Sequence, residues 1–332
     1  MNATLEADGR VVIDGRTLQP ICPDAGETVA EPIEDGPGWW AGAPHVTHDE
    51  EAGRFYLYSR IRRPRGHEFE RGGEVRLAVG TDGVHFETIW RMLKTELDSD
   101  SIERGCLYRL LDGQWALAFS YVDPADRRWR TDLMTADAPD AFRSADRQTI
   151  FTADDVKVEG VKDPFVFRHG DRYMMLLSFA RADAPADADQ MHGGGDVYMT
   201  GLIKSATALA TSEDGLAWQW QGEVLGPPAS GWDQYCTRIN SVIGLGNVFV
   251  GFYDGSRDET ENFEERCGVC VSEDLRTWQR LTAGRPWVDW PHATGSMRYV
   301  NALQVGKELY YHYEAARPDG GHELRVQIVP AP

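Results

Sequence analysis

Val158-Glu159-Gly160-Val161-Lys162-Asp163-Pro164-Phe165-Val166-Phe167-Arg168-His169-Gly170-Asp171-Arg172-Tyr173-Met174-Met175-Leu176-Leu177-Ser178-Phe179 reads as a β-hairpin. An apolar strand runs from Phe165 to Phe167, His169-Gly170-Asp171 makes the turn, and a second apolar strand runs from Tyr173 to Phe179. Pro164 suits the start of a strand, where a missing N–H is least disruptive. Lys162 and Asp163 therefore stand at one end of a sheet, and the returning strand brings Ser178 and Phe179 back beside them. Any repeat of this hairpin repeats its charged end.

The hairpin does recur. A short strand, a tight turn, an aromatic-rich second strand, a polar loop, a third strand and an outer strand form a unit that appears five times. The units span approximately residues 41–95, 100–152, 158–226, 235–283 and 295–329. The turns before the outer strands resemble one another: Gly80-Thr81-Asp82-Gly83, Ser212-Glu213-Asp214-Gly215 and Ser272-Glu273-Asp274-Leu275. Five four-stranded units predict an all-β chain, a five-bladed β-propeller forming a single domain over residues 1–332. The fifth unit supplies only three strands, so the strand at residues 10–14 is expected to complete it and close the ring. A β-sandwich of the same hairpins is the competing architecture.

The chain has 332 residues, 42% of them apolar, and 11 Trp, which is ample for one large β-domain. A formal charge of −19 argues against nucleic acid or an acidic membrane surface as partner, and is compatible with a small neutral or cationic substrate. The first residues, Met1 to Asp8, carry neither the basic nor the apolar segment of a secretion signal. Five cysteines, an odd number, suit a reducing compartment. A cytoplasmic monomer or homo-oligomer is expected.

In a propeller the first strands line the axis, so the residues that open them meet at one mouth. These are His45, Glu103 with Arg104, Lys162 with Asp163, Arg238 with Asn240, and Arg298 with Asn301. The second strands return Arg60, Tyr121, Ser178, Asp254 and Glu314 to the same face. Unpaired buried charge is unfavourable, so such a ring reads either as a polar pocket for a hydroxyl-rich ligand or as salt bridges between sheets. Carboxylates facing one cavity can divide into a protonated acid and an ionised base.

The chain at this point resembles the five-bladed β-propeller glycosidases, the group with arabinanase- and xylosidase-type enzymes, invertase-type β-fructosidases and β-mannoside phosphorylases. Lys162-Asp163-Pro164-Phe165-Val166-Phe167 is similar to the third-blade Asp-Pro strand of that group, and the resemblance implies that Asp163 positions the sugar and tunes the acid. Two other carboxylates of the group are missing: the first-blade position reads Ala43-Pro44 and the fourth-blade position Cys236-Thr237-Arg238. Glu103, Asp254 and Glu314 are the available substitutes.

The expected activity is cleavage of a glycosidic bond in a small glycoside or oligosaccharide. Asp163 positions the sugar, Glu103 serves as acid, and Asp254 or Glu314 as base. Arg238, Arg298, Lys162, Arg104, His45, Trp40, Tyr299, Asn301 and His192 are substrate-binding candidates, His192 from a loop following Asp183 to Asp189. Phosphorolysis, with the arginines taking phosphate, and non-catalytic sugar binding are the alternatives. Cys267-Gly268-Val269-Cys270 sits in one strand with no second pair and reads as structural. The acidic stretch from Asp254 to Arg266 lacks the spacing of an EF-hand, so no cofactor is expected, with calcium the one metal the stretch suggests.

Overall fold

The structure, a computed structural model, describes residues 1–183 and 185–332. Its first element is a small antiparallel sheet of β1 (Ala3–Leu5), β2 (Val11–Ile13) and β3 (Arg16–Leu18). A lone strand, β4 (Glu27–Ala30), follows. Then come five antiparallel meanders. The first is β5 (Trp40–Asp49), β6 (Arg54–Arg63), β7 (Arg71–Gly80) and β8 (Glu87–Leu93). The second is β9 (Ile102–Arg109), β10 (Trp115–Val122), β11 (Trp129–Ala136) and β12 (Gln148–Phe151). The third is β13 (Gly160–His169), β14 (Arg172–Ala182), β15 (Ile203–Ser212) and β16 (Gln219–Leu225). The fourth is β17 (Cys236–Leu245), β18 (Val248–Ser256), β19 (Arg266–Ser272) and β20 (Gln279–Arg280). The fifth has β21 (Met297–Val305), β22 (Glu308–Ala316) and β23 (His322–Pro330).

The strand that completes the fifth meander is β4, not β2. Leu324 pairs with Ala30, Arg325 with Thr28 and Val326 with Glu27. The expectation for residues 10–14 is corrected by burial: Val11 and Ile13 are fully apolar and sink into the core between the fourth and fifth sheets. The half-polar Glu27–Ala30 suits an outer edge, where one face meets water.

Alternating strands give each sheet two apolar faces, and neighbouring sheets share them. Tyr58, Leu77 and Leu117 pack between the first and second sheets, and Leu177 and Ala208 help fill the space between the second and third. Ile239 and Tyr253 meet Phe165 and Leu209 between the third and fourth. Val46 and Leu57 of the first sheet pack on Tyr310 and Leu324 of the fifth. The first strands touch in cyclic order, β5 on β9, β9 on β13, β13 on β17, β17 on β21 and β21 on β5. Cys267 faces one of these cores and Cys270 the next, as residues three apart in a strand must.

The repeated turns have a common physical cause. Asp82 accepts the amides of Val84 and His85, Asp214 those of Leu216 and Ala217, and Asp274 those of Arg276 and Thr277. An aspartate side chain that caps its own turn in this way orients the outer strand that follows.

Candidate active site

The pairing of first and second strands breaks at corresponding places: between Gly42 and His45, between Lys162 and Phe165, and between Arg298 and Asn301. The residue that follows Gly42, Lys162 or Arg298 is in the left-handed region, with φ of 50° at Ala43, 57° at Asp163 and 52° at Tyr299. Such bulges re-aim side chains, and a non-glycine residue in this conformation is strained by about 1–2 kcal/mol. Asp163 and Tyr299 are thereby turned into the axis. Gly42 is required by close approach, since a Cβ there would collide with the Glu314 carboxylate.

Around the axis lies a ring of charge. Arg60, Glu103, Lys162, Asp163, Arg238, Asp254, Glu265, Arg298 and Glu314 are all buried, none more than 2% exposed. Arg60 pairs with Glu103 and lies 3.7 Å from Glu314. Arg298 donates to Glu314 at 2.7 Å and to Glu265 at 2.6 Å. Arg238 donates to Glu265 at 2.5 Å and lies 3.6 Å from Asp254. His322 joins Glu314 at 2.7 Å to Glu264 at 3.1 Å.

Asp163 stands apart from this pairing. Neither of its carboxylate oxygens has a hydrogen-bond partner among the described residues, although both are buried. The nearest cations are Lys162 at 3.7 Å and Arg238 at 3.9 Å. Lys162 is itself held over the rings of Tyr198 and Trp129 at 4.4 and 5.0 Å. Buried carboxylate oxygens are rarely left unsatisfied. Asp254 shows half of the same pattern, with one oxygen accepting the Tyr299 amide at 2.9 Å and the other free of partners.

The carboxyls differ in proton affinity. Burial pushes Asp254 up to about 7, with Glu265 adding to the rise and Arg238 opposing it. Burial alone would also raise Glu265, but Arg238 and Arg298 outweigh it and hold that group at about 2. Glu314 is likewise held well below the usual range by Arg298 and His322 against the effect of burial. Glu103 is held low by Arg60 and Lys162, again against burial. Tyr299 is pushed far up by burial and by the Asp163 and Glu103 charges, and its hydroxyl lies 3.5 Å from Glu103.

The sequence candidates thus fall into two groups. Glu103, Lys162, Asp163, Arg238, Asp254, Arg298, Tyr299 and Glu314 converge, and Trp40 stacks on His322 at 4.3 Å beside them. Arg104, His45 and Asn301, also expected to bind substrate, tie the first strands together. Arg104 donates to the carbonyls of Pro44 at 3.0 Å and Asn240 at 2.7 Å. His45 accepts the Leu107 amide, and Asn301 accepts the Val46 amide. The reason is depth: one or two residues farther along each first strand, a side chain meets neighbouring backbone rather than the mouth. A separate cavity of about 380 Å³, lined by residues such as Val46, Phe165 and Leu303, opens at the far ends of the same strands.

His192 stands apart from the ring contacts. It lies in the short helix α1 (Ala188–His192), buried, with Nε2 2.9 Å from Glu159. Ala184, inside the loop from which it was expected to reach the site, lies outside the described residues. Sequence reasoning missed Glu265, which the acidic stretch concealed; its position immediately before β19 was the available signal. The same stretch spends Glu261 on Arg257 and Arg266, at 3.2 and 3.4 Å.

No family model matches the sequence, and no curated protein sequence matches it. Solved structures do. One is a glycoside hydrolase with a TM-score of 0.68 at 13% identity, covering 92% of this chain and 91% of the other. Another is a thermostable family-43 glycoside hydrolase, with a TM-score of 0.60 at 15% identity and coverage of 87% and 89%. A third is the β-1,2-mannobiose phosphorylase from Listeria innocua, with a TM-score of 0.59 at 15% identity and coverage of 92% and 96%. The fold is that of the propeller glycosidases. At these identities the likeness concerns the propeller fold, and within that fold the charged ring is described by this chain's own residues.

Proposed function

We propose that the chain is a five-bladed β-propeller enzyme that cleaves a glycosidic bond of a small carbohydrate at the charged ring. The cyclic packing of the five first strands and the five shared apolar interfaces support closure of the propeller. The observation that carries the activity is Asp163: a strained, buried carboxylate with both oxygens unpartnered, for which sugar hydroxyls are the natural donors. Strain of this kind persists where function requires it.

The division of acid and base follows proton affinity. Asp254, at about 7, is the carboxyl that retains a proton near neutral pH and would give it to the leaving oxygen. Glu103, kept ionised by Arg60, suits the base that takes a proton from the attacking water. This exchanges the roles expected from sequence, where Glu103 was the acid. Arg238 and Arg298 are already engaged by Glu265 and Glu314, which favours hydrolysis over phosphorolysis.

A panel of aryl glycosides and short oligosaccharides, assayed with and without inorganic phosphate, tests the reading. Hydrolysis independent of phosphate and abolished by Asp163→Asn is expected. Strict phosphate dependence would replace it with phosphorolysis. Sugar binding measured by calorimetry without any product would replace it with a non-catalytic binding protein.

A further inference from the structure

Arg62 is a buried cation without a counter-ion. It follows Arg60 by two residues on β6, so both side chains leave the same face of the strand. Arg60 reaches the ring, and Arg62 stands about 6–7 Å farther along the strand, a displacement set by the rise per residue. It is 7% exposed, and among the described residues it makes neither an ion pair nor a side-chain hydrogen bond. Its guanidinium instead packs into the corner of two aromatic rings, 4.4 Å from Trp40 and 4.1 Å from Phe263, which are inclined at 60° with centroids 6.1 Å apart. The other ring cations all have carboxylates within 4 Å: Arg60, Lys162, Arg238 and Arg298.

The two rings close off adjoining sides of the guanidinium, and among the described residues no protein acceptor takes its N–H groups, a planar donor set that matches a carboxylate. Burial and the nearby Arg60 and Arg298 charges lower its proton affinity to about 9, against the opposing pull of the Glu103 and Asp196 carboxylates, neither of which comes within ion-pair distance of it. A hydroxyl could accept one N–H but would leave the charge uncompensated. The net charge of −19 does not oppose this, since exposed charges are screened over about 8–10 Å at ordinary ionic strength.

We propose that Arg62 is the receptor for a carboxylate borne by the substrate, so that the site takes an acidic sugar, a hexuronic acid or its glycoside. The proposal rests on the sugar-cleaving reading of the ring and specifies its substrate class. Trp40 and Phe263 fix the guanidinium, and the sugar ring spans the interval between Arg62 and the carboxylates around Asp163.

Binding measured by calorimetry on the full chain tests it without requiring turnover. Glucuronate and galacturonate are compared with glucose and galactose, and inorganic phosphate is titrated separately. The acidic sugars are expected to bind at least about tenfold more tightly than the neutral ones, as a bidentate charged pair allows. Arg62→Gln should erase that preference, weakening the acidic sugars at least about tenfold more than the neutral ones. Arg62→Lys, which keeps the charge but not the fork, should retain part of it, and this second variant guards against a fold defect in the first. Equal affinity for acidic and neutral sugars overturns the proposal, as does a preference that survives in Arg62→Gln. Phosphate binding that depends on Arg62 while uronates remain inert overturns it too. Arg62-dependent uronate binding with no cleavage of any uronide would leave this inference standing and remove the enzymatic reading.

Discussion

Asp254 and Glu265 carry opposite messages about pH. Asp254 has its folded pKa raised from 3.8 to about 7, so its contribution to stability is complete below about 4 and is lost as pH rises through 7. Glu265 is lowered from 4.5 to about 2, so its contribution is present above 4.5 and is lost as pH falls toward 2. Between pH 4.5 and 8 the wild-type melting temperature should therefore fall more than that of Asp254→Asn, read by thermal unfolding across that range. Identical profiles would mean that Asp254 is ionised throughout. The same proton governs chemistry, and turnover is expected to decline above about pH 7. Asp163→Asn keeps the shape, and asparagine tolerates the left-handed conformation. Its melting temperature should stay within a few degrees of wild type while sugar affinity drops about tenfold or more.

Among the elements, the N-terminal segment has the most distinct role. Deleting residues 1–31 would expose β23 as an open edge and remove Val11, Ile13 and Leu18 from the core. Open edges recruit other chains, so the truncated protein should associate in a concentration-dependent way by light scattering and melt well below wild type. Deleting only residues 1–19 keeps β4 in place. That variant should melt early as well, through lost apolar burial, yet remain monodisperse. Equal association by both truncations would mean that β4 does not protect the edge. The hairpin of β13 and β14 was readable in sequence because alternation, Pro164 and the Gly170 turn all agree locally. The partner of β23 was not, because two short strands competed for one edge and only burial separates them.

On the scale of the whole molecule, the buried ion pairs link sheets to one another. Arg298 of the fifth sheet holds Glu265 at the start of the fourth sheet's third strand, while Arg238 holds the same carboxylate from the fourth sheet's first strand. Removing one member leaves a buried charge unpaired, and Arg298→Met should cost about 3–5 kcal/mol in denaturant unfolding. Combined with Glu265→Met, the two losses should be non-additive by about 0.5–3 kcal/mol. Simple additivity would show that the two residues do not share one network.

The sequence by itself determined the all-β class, the five repeated hairpins, the three aspartate-capped turns and the convergence of Glu103, Asp163, Arg238, Asp254, Arg298 and Glu314. These follow from alternation and spacing, which are local and periodic. Only the tertiary structure decided that Arg104, His45 and Asn301 tie neighbouring first strands, that Glu265 belongs to the ring, and that Arg62 has no ion pair among the described residues. Each of those depends on depth along the axis and on which charges lie within a few ångströms across different sheets, and neither quantity is written in the order of residues along one strand.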